Sequence, residues 1–135
     1  MDYRNTLTTC TYCGCGCNFF LESLDGRLTG TIPCKTSPVN EGKLCIKGWN
    51  VHQFVQSENR LTKPLLRKNG ELVEVSWDEA LDFVASGLKA AKAASGPDSI
   101  GFLASAKVTN EENYLMQKFA RAAIGTNNVD HCARL

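Results

Sequence analysis

Two pairs of apolar segments, each interrupted by a turn dipeptide, predict two β-hairpins. The four segments lie at residues 19–24 and 27–32, and at residues 65–67 and 72–75. Asp25-Gly26 separates the first pair and Asn69-Gly70 separates the second. Both dipeptides suit a two-residue hairpin turn, because its central residues take positive φ angles.

Apolar residues at helical spacing predict a long helix that begins after Ser76. Six of them share one face: Trp77, Ala80, Leu81, Val84, Leu88 and Ala91. Ser76 and Glu79 form a capping box at the start of this helix, and Gly96-Pro97 ends it.

Two strands and a second helix complete the predicted order of elements in the second half. Residues 100–104 form a short apolar run suited to a buried parallel strand, and Val129 begins another strand. A helix is predicted between them at about residues 111–124, capped by Thr109 or Asn110. The order strand, helix, strand, helix, strand (βαβαβ) is typical of an α/β domain.

The chain therefore divides into two predicted domains. The predicted fold class is α+β to α/β, with a small hairpin-containing subdomain followed by the start of an α/β domain. Residues 1–60 form a small subdomain with the first hairpin and a short helix at about residues 47–55. Three residues form the apolar side of that helix: Trp49, Phe54 and Val55. Residues 61–135 begin an α/β domain whose two or three parallel strands leave the sheet incomplete.

Four cysteines give the first domain its candidate chemistry, in the spacing Cys10-x2-Cys13-x3-Cys17-x27-Cys45. Three thiolates within eight residues must wrap around an object that they share, and a fourth from a distant segment completes an all-thiolate shell. That shell is the usual ligation of a [4Fe–4S] cluster. Two glycines allow the loop to bend tightly, so that backbone N–H groups approach the cluster sulfurs: Gly14 and Gly16.

Zinc is the first alternative occupant of this site. Zinc also binds four thiolates, but usually through two C-x(2–4)-C pairs, and Cys45 has no partner at that spacing. Free or disulfide-bonded thiols are the second alternative, which an odd count of seven cysteines opposes.

The other cysteines and the histidines are not expected to bind metal. Cys15, Cys34 and Cys132 are expected to be small packed thiols, and the offset of Cys15 from its neighbours is expected to point it away from them. His52 is expected on a helix surface, and the sequence assigns His131 no role.

The charge balance and the distribution of apolar residues limit the possible binding partners and the expected cellular location. The 15 Lys and Arg residues nearly balance the 14 Asp and Glu residues, so no nucleic-acid surface is implied. No apolar run approaches the length of a membrane span, and the first residues lack a signal-peptide pattern. We therefore expect a soluble cytoplasmic protein in a reducing, anaerobic setting.

Five stretches of the chain, in order, match the sequence of a known family. They are Cys10-Thr-Tyr-Cys-Gly-Cys-Gly-Cys17, Gly42-Lys-Leu-Cys-Ile-Lys-Gly-Trp49, and residues 75–81, 110–121 and 125–134. Together they resemble the N-terminal part of the molybdopterin-guanine-dinucleotide oxidoreductases. The last two stretches resemble formate dehydrogenase catalytic (alpha) subunits more than nitrate or dimethyl-sulfoxide reductases.

The resemblance implies roles for five residues and a set of cofactors. It implies that Cys10, Cys13, Cys17 and Cys45 ligate a [4Fe–4S] cluster. Lys47 matches a family lysine that lies between the cluster and a pterin, where it binds the cofactor and assists electron transfer. In the complete enzyme, molybdopterin guanine dinucleotide with molybdenum or tungsten would interconvert formate and carbon dioxide. The implied partners are the remainder of the catalytic subunit and iron–sulfur electron-transfer subunits.

The resemblance also bears on the end of the chain. In the family, a metal-binding selenocysteine or cysteine follows the position of Leu135, so no catalytic residue is expected within these 135 residues. A selenocysteine codon, UGA, read as a stop would end the chain here, and the fragment alone is expected to be inactive. A stand-alone iron–sulfur electron-transfer module and a zinc-binding interaction module are the alternative functions.

Overall fold

The computed structural model describes residues 1–132, which form two compact units. The first unit contains residues 1–60 and 104–115 together with residues 131–132, and the second contains residues 61–103 and 116–130. The domain boundary predicted at residue 60 stays a prediction, and the predicted chain end at Leu135 lies outside the described residues.

The first unit contains a three-stranded antiparallel sheet in the order β1-β2-β3. Its strands are β1 (Tyr3–Thr9), β2 (Asn18–Leu24) and β3 (Arg27–Pro33). The predicted hairpin is confirmed, with Asp25 at φ 48° and Gly26 at φ 81°. The sequence pattern did not predict β1, because an edge strand with almost all its side chains exposed carries no apolar periodicity.

The core of the first unit lies between this sheet and two short helices, α1 (Ile46–Trp49) and α2 (Val51–Val55). Cys10, Phe19 and Val51 form its buried centre. The single predicted helix is interrupted at Asn50, whose side-chain amide donates to the Ile46 carbonyl at 2.8 Å.

Two predictions for this segment were wrong. The predicted apolar residues Trp49, Phe54 and Val55 are exposed, and Val51 is the residue buried against Phe19. His52 is half-buried rather than a surface residue, because its Nδ1 atom lies 3.2 Å from the hydroxyl of buried Thr31 on β3.

The second unit begins with the second predicted hairpin, β4 (Leu65–Lys68) and β5 (Glu71–Glu74), which is confirmed as an antiparallel pair. Helix α3 (Trp77–Ser95) follows, and the Ser76 hydroxyl accepts the Glu79 N–H at 3.1 Å as the capping box predicts. Of its predicted apolar face, Ala80 is buried whereas Trp77 and Leu81 are exposed within the described part of the chain. The periodicity therefore predicted the helix correctly but not the burial of that face.

A two-stranded sheet pairs β6 (Phe102–Ser105) with β7 (Val129–Cys132). The Phe102 N–H donates to the Asn128 carbonyl and the Ala106 N–H donates to the Cys132 carbonyl, so the register advances in the same direction along both strands. This is the predicted parallel pairing. The predicted burial was wrong for Leu103, which is 84% exposed.

Helix α4 (Asn110–Lys118) continues into a π-helical segment, Phe119–Ile124, and ends at Gly125 in the left-handed conformation. Thr109 rather than Asn110 caps it: its hydroxyl accepts the Glu112 N–H at 3.2 Å, and the Glu112 carboxylate accepts the Thr109 N–H at 2.7 Å. Among residues 1–132, no helix has the length and apolar character required to cross a membrane.

A buried amide, Asn40, ties together the irregular segments of the first unit. Its Oδ1 accepts the Asn18 N–H at 2.9 Å, and its Nδ2 donates to the carbonyls of Asn18 at 3.2 Å and Lys43 at 2.9 Å. Asn40 is only 7% exposed, so these three hydrogen bonds satisfy a side chain that water reaches poorly. The amide thereby joins the start of β2 to the segment that precedes α1.

We expect Asn40→Ala to lower the free energy of unfolding by about 1–3 kcal/mol, because half-buried peptide groups lose their partners. Urea denaturation of the reduced chain, followed by circular dichroism, measures the change. The control is Asn59→Ala, an exposed position where we expect less than about 0.5 kcal/mol. Equal destabilisation by the two substitutions would contradict the role of Asn40.

Candidate metal centre

The loop between β1 and β2 brings two of the predicted ligands to the same end of the sheet. Thr9 and Asn18 are paired across the two strands, and the next residue on each side of the loop is a cysteine. The Cys10 N–H donates to the Cys17 carbonyl at 2.8 Å and closes the loop. Gly16 has a φ of 73°, which confirms the tight bend predicted for it.

The fourth predicted ligand, Cys45, comes from the segment that leads into α1. The backbone N–H groups of Gly48 and Lys47 and the Lys47 charge lower the pKa of the Cys45 thiol. Cys45 is exposed, and it forms part of the electrostatic environment of buried Cys10. The structure therefore gives the distant cysteine a setting that favours its thiolate form.

The thiols of the loop are close enough to influence one another. Burial raises the pKa of Cys10, with smaller contributions from Cys13 and Cys45. Burial also raises the pKa of Cys17 to about 11, with contributions from Cys15, Cys10 and Cys13. Three of the predicted ligands thus lie in one loop, and the fourth, Cys45, comes from a separate segment and influences Cys10. Cys15 belongs to the same group of interacting thiols.

The other cysteines follow the predictions only in part. Cys34 is buried, with its Sγ 3.4 Å from the Thr36 hydroxyl, which confirms a packed thiol. Cys15 is exposed, and its Sγ lies 3.6 Å from the Sγ of Cys17, so the expectation that it points away from its neighbours was wrong. Cys132 is exposed at the end of β7 and is not the packed thiol that was predicted.

The donor set is suited to an iron–sulfur cluster. Cys10, Cys13, Cys17 and Cys45 are free thiols, and thiolate sulfur is the donor that proteins supply to such clusters. In the described part of the chain, no three Cys, His, Asp or Glu side chains are already arranged around a single metal ion. The assignment of the four ligands stays a prediction.

Lys47 lies beside this centre and faces a groove. Its Nζ is 5.1 Å from the centroid of the Tyr12 ring, within the range of a cation–π contact. Both residues line an open groove of about 630 Å³ along α1 and α2, together with Ile46, Asn50 and Phe54. Half-buried Lys47 therefore lies between Cys45, whose pKa it lowers, and the largely apolar lining of this groove.

Comparison with known proteins confirms the resemblance and the predicted fold class. Residues 3–57 match the molybdopterin oxidoreductase Fe4S4 domain, and residues 60–135 match the molybdopterin oxidoreductase family. The solved acetylene hydratase from Pelobacter acetylenicus aligns with a TM-score of 0.70 and 26% identity, over 93% of this chain and 18% of that chain.

Two similar proteins are formate dehydrogenase subunits. The F420-dependent formate dehydrogenase 1 subunit alpha of Methanococcus maripaludis is 57% identical over the whole of this chain. The F420-dependent formate dehydrogenase subunit alpha of Methanocaldococcus jannaschii is 51% identical over the same length. In both comparisons the chain spans 19% of the relative. With one match covering the cluster-binding region and another covering residues 60–135, this chain belongs to the molybdopterin oxidoreductase family.

Proposed function

We propose that this chain is the cluster-binding part of a formate dehydrogenase catalytic subunit. The observation that carries the proposal is that a region matching the Fe4S4 domain carries Cys10, Cys13 and Cys17 in one loop, with Cys45 near enough to influence Cys10. The identity to formate dehydrogenase alpha subunits over the whole chain supports formate as the substrate of the complete enzyme. When bound, the cluster and a pterin-held molybdenum or tungsten supply the redox chemistry.

In this proposal the chain's own residues bind and orient the cluster. Cys10 and Cys17 hold it at the open end of the sheet, Cys13 holds it from within the loop, and Cys45 holds it from the segment before α1. Burial favours the neutral thiols of Cys10 and Cys17, so cluster binding must release protons from them. The backbone amides beside Cys45 already favour its thiolate.

Lys47 is proposed to lie on the path between the cluster and the pterin cofactor. Its ammonium group influences Cys45 on one side and faces the groove on the other. A cation in that position stabilises added negative charge at the cluster and offers hydrogen-bond donors to a cofactor in the groove. The role is therefore electrostatic rather than structural.

The proposed partners follow from the same assignment. The remainder of the catalytic subunit would hold the molybdopterin guanine dinucleotide, and iron–sulfur electron-transfer subunits would accept electrons from the cluster. Formate and carbon dioxide would be the substrate and product of the complete enzyme. We propose a cytoplasmic location, consistent with the free thiols at Cys10, Cys13, Cys17 and Cys45.

Substitution of single cysteines tests the ligand set. After anaerobic reconstitution we expect about four iron and four sulfide per chain in the wild type, with a reducible [4Fe–4S] signal. Each of Cys10→Ala, Cys13→Ala, Cys17→Ala and Cys45→Ala is expected to weaken or abolish the signal. The controls Cys34→Ala and Cys132→Ala are expected to retain it, because Cys34 is packed beside Thr36 and Cys132 lies at the end of β7. Full iron content in all four ligand variants would refute the assignment.

Replacement of Lys47 by Met tests its electrostatic role in a complete formate dehydrogenase that carries this segment. Methionine keeps much of the apolar stem and removes the charge. We expect formate-dependent dye reduction to slow about 10–100-fold, as when a group supporting a metal site is lost, while iron content stays near wild type. The control is Lys43→Met, which removes an exposed cation paired with Glu41. Wild-type turnover in Lys47→Met, with cofactors fully loaded, would overturn the role.

A further inference from the structure

We propose that Asn110, the first residue of α4, is a positioning residue that holds the cysteine loop at Gly14. The inference rests on the proposed function, because it assumes that the loop binds a cluster. Asn110 is 96 residues away from Gly14 along the chain and belongs to the region that matches the molybdopterin oxidoreductase family. Both residues lie within the first compact unit.

The contact involves both polar atoms of the Asn110 carboxamide. Its Nδ2 donates to the Gly14 carbonyl at 2.8 Å. A Cβ atom added at Gly14 would clash with Asn110 Oδ1. The carboxamide thus sets both the direction of the Gly14 carbonyl and the space available at its Cα atom.

This contact limits the size of the residue at position 14 while the Asn110 side chain keeps its conformation. Gly16 has a positive φ, but Gly14 does not have one, so its backbone conformation is open to other residues. The steric limit comes from Asn110 instead. Gly14 lies between Cys13 and Cys15, so the hydrogen bond to its carbonyl restrains the backbone that joins these two residues.

Helix α4 provides a firm support for the carboxamide. Thr109 and Glu112 cap the helix reciprocally, which leaves the Asn110 side chain free to reach the loop. One turn further on, Asn113 Nδ2 donates to the Ser105 carbonyl at 3.1 Å and ties the helix to β6. The start of α4 is therefore fixed on both sides of Asn110.

Loop geometry matters to a cluster because backbone hydrogen bonds to sulfur and solvent access help to set its reduction potential. A loop released at Gly14 would still contain its cysteines but would hold them in a wider range of geometries. The structure therefore assigns Asn110 an effect on cluster retention and potential, rather than on whether the ligands are present.

The test compares loop variants of the anaerobically reconstituted chain. We expect Asn110→Ala to form the cluster but to lose it roughly two- to tenfold faster to an iron chelator, as the loss of one hydrogen bond allows. Its midpoint potential and electron paramagnetic resonance spectrum should also shift. Asn110→Asp, which replaces the donor with an acceptor facing the Gly14 carbonyl, should lose the cluster faster than Asn110→Ala. Gln117→Ala, the control, removes an exposed amide from the same helix and should behave as wild type.

Exchanging the sizes of the side chains at positions 14 and 110 provides an independent test. Gly14→Ala should lower iron content, and adding Asn110→Gly to it should restore much of that content by removing the clashing atom. The inference is overturned if Asn110→Ala matches wild type in both chelation rate and potential, or if Gln117→Ala reproduces its effect. Failure of the wild type to bind a cluster would instead overturn the proposed function, and this inference with it.

Discussion

Four thiols must lie close together for the first unit to hold a cluster, and this requirement explains its architecture. Thiolates repel one another and lose hydration when buried, so an empty site favours protonated thiols, as the raised pKa values of Cys10 and Cys17 indicate. The paired ends of β1 and β2 hold two of these groups together despite that cost. The opposite shift in the pKa of Cys45 means that the second segment carries a more readily ionised thiol.

Amide side chains, rather than cysteines, join the segments that carry the thiols. Asn40 fixes the residue after Cys17 to Lys43, which lies shortly before Cys45, through bonds that are largely protected from water. Asn110 fixes the middle of the loop from a helix that is distant in sequence. The ligand cysteines are thus held at several points by groups that do not themselves bind metal.

The features that could be predicted from the sequence have local causes. Asp25-Gly26 and Ser76 determine a turn and a cap through their own backbone and side chain, and both were confirmed. Strand β1 was missed because its exposed side chains carry no apolar periodicity. The contact between Cys15 and Cys17 was predicted wrongly because it depends on the conformation of the loop, which sequence spacing does not determine. The partner of His52 was missed because only the fold brings Thr31 close to it. Asn40 gave no usable signal for the same reason. The cysteine spacing was informative because metal chemistry constrains it directly.

Native mass spectrometry of the wild-type chain, prepared anaerobically with iron, sulfide and zinc all available, tests the central claim most directly. We predict one dominant species whose added mass corresponds to about four iron and four sulfide, with the protons of the ligand thiols displaced. A dominant species carrying a single zinc ion, or a bare chain after exposure to all three, would contradict the account.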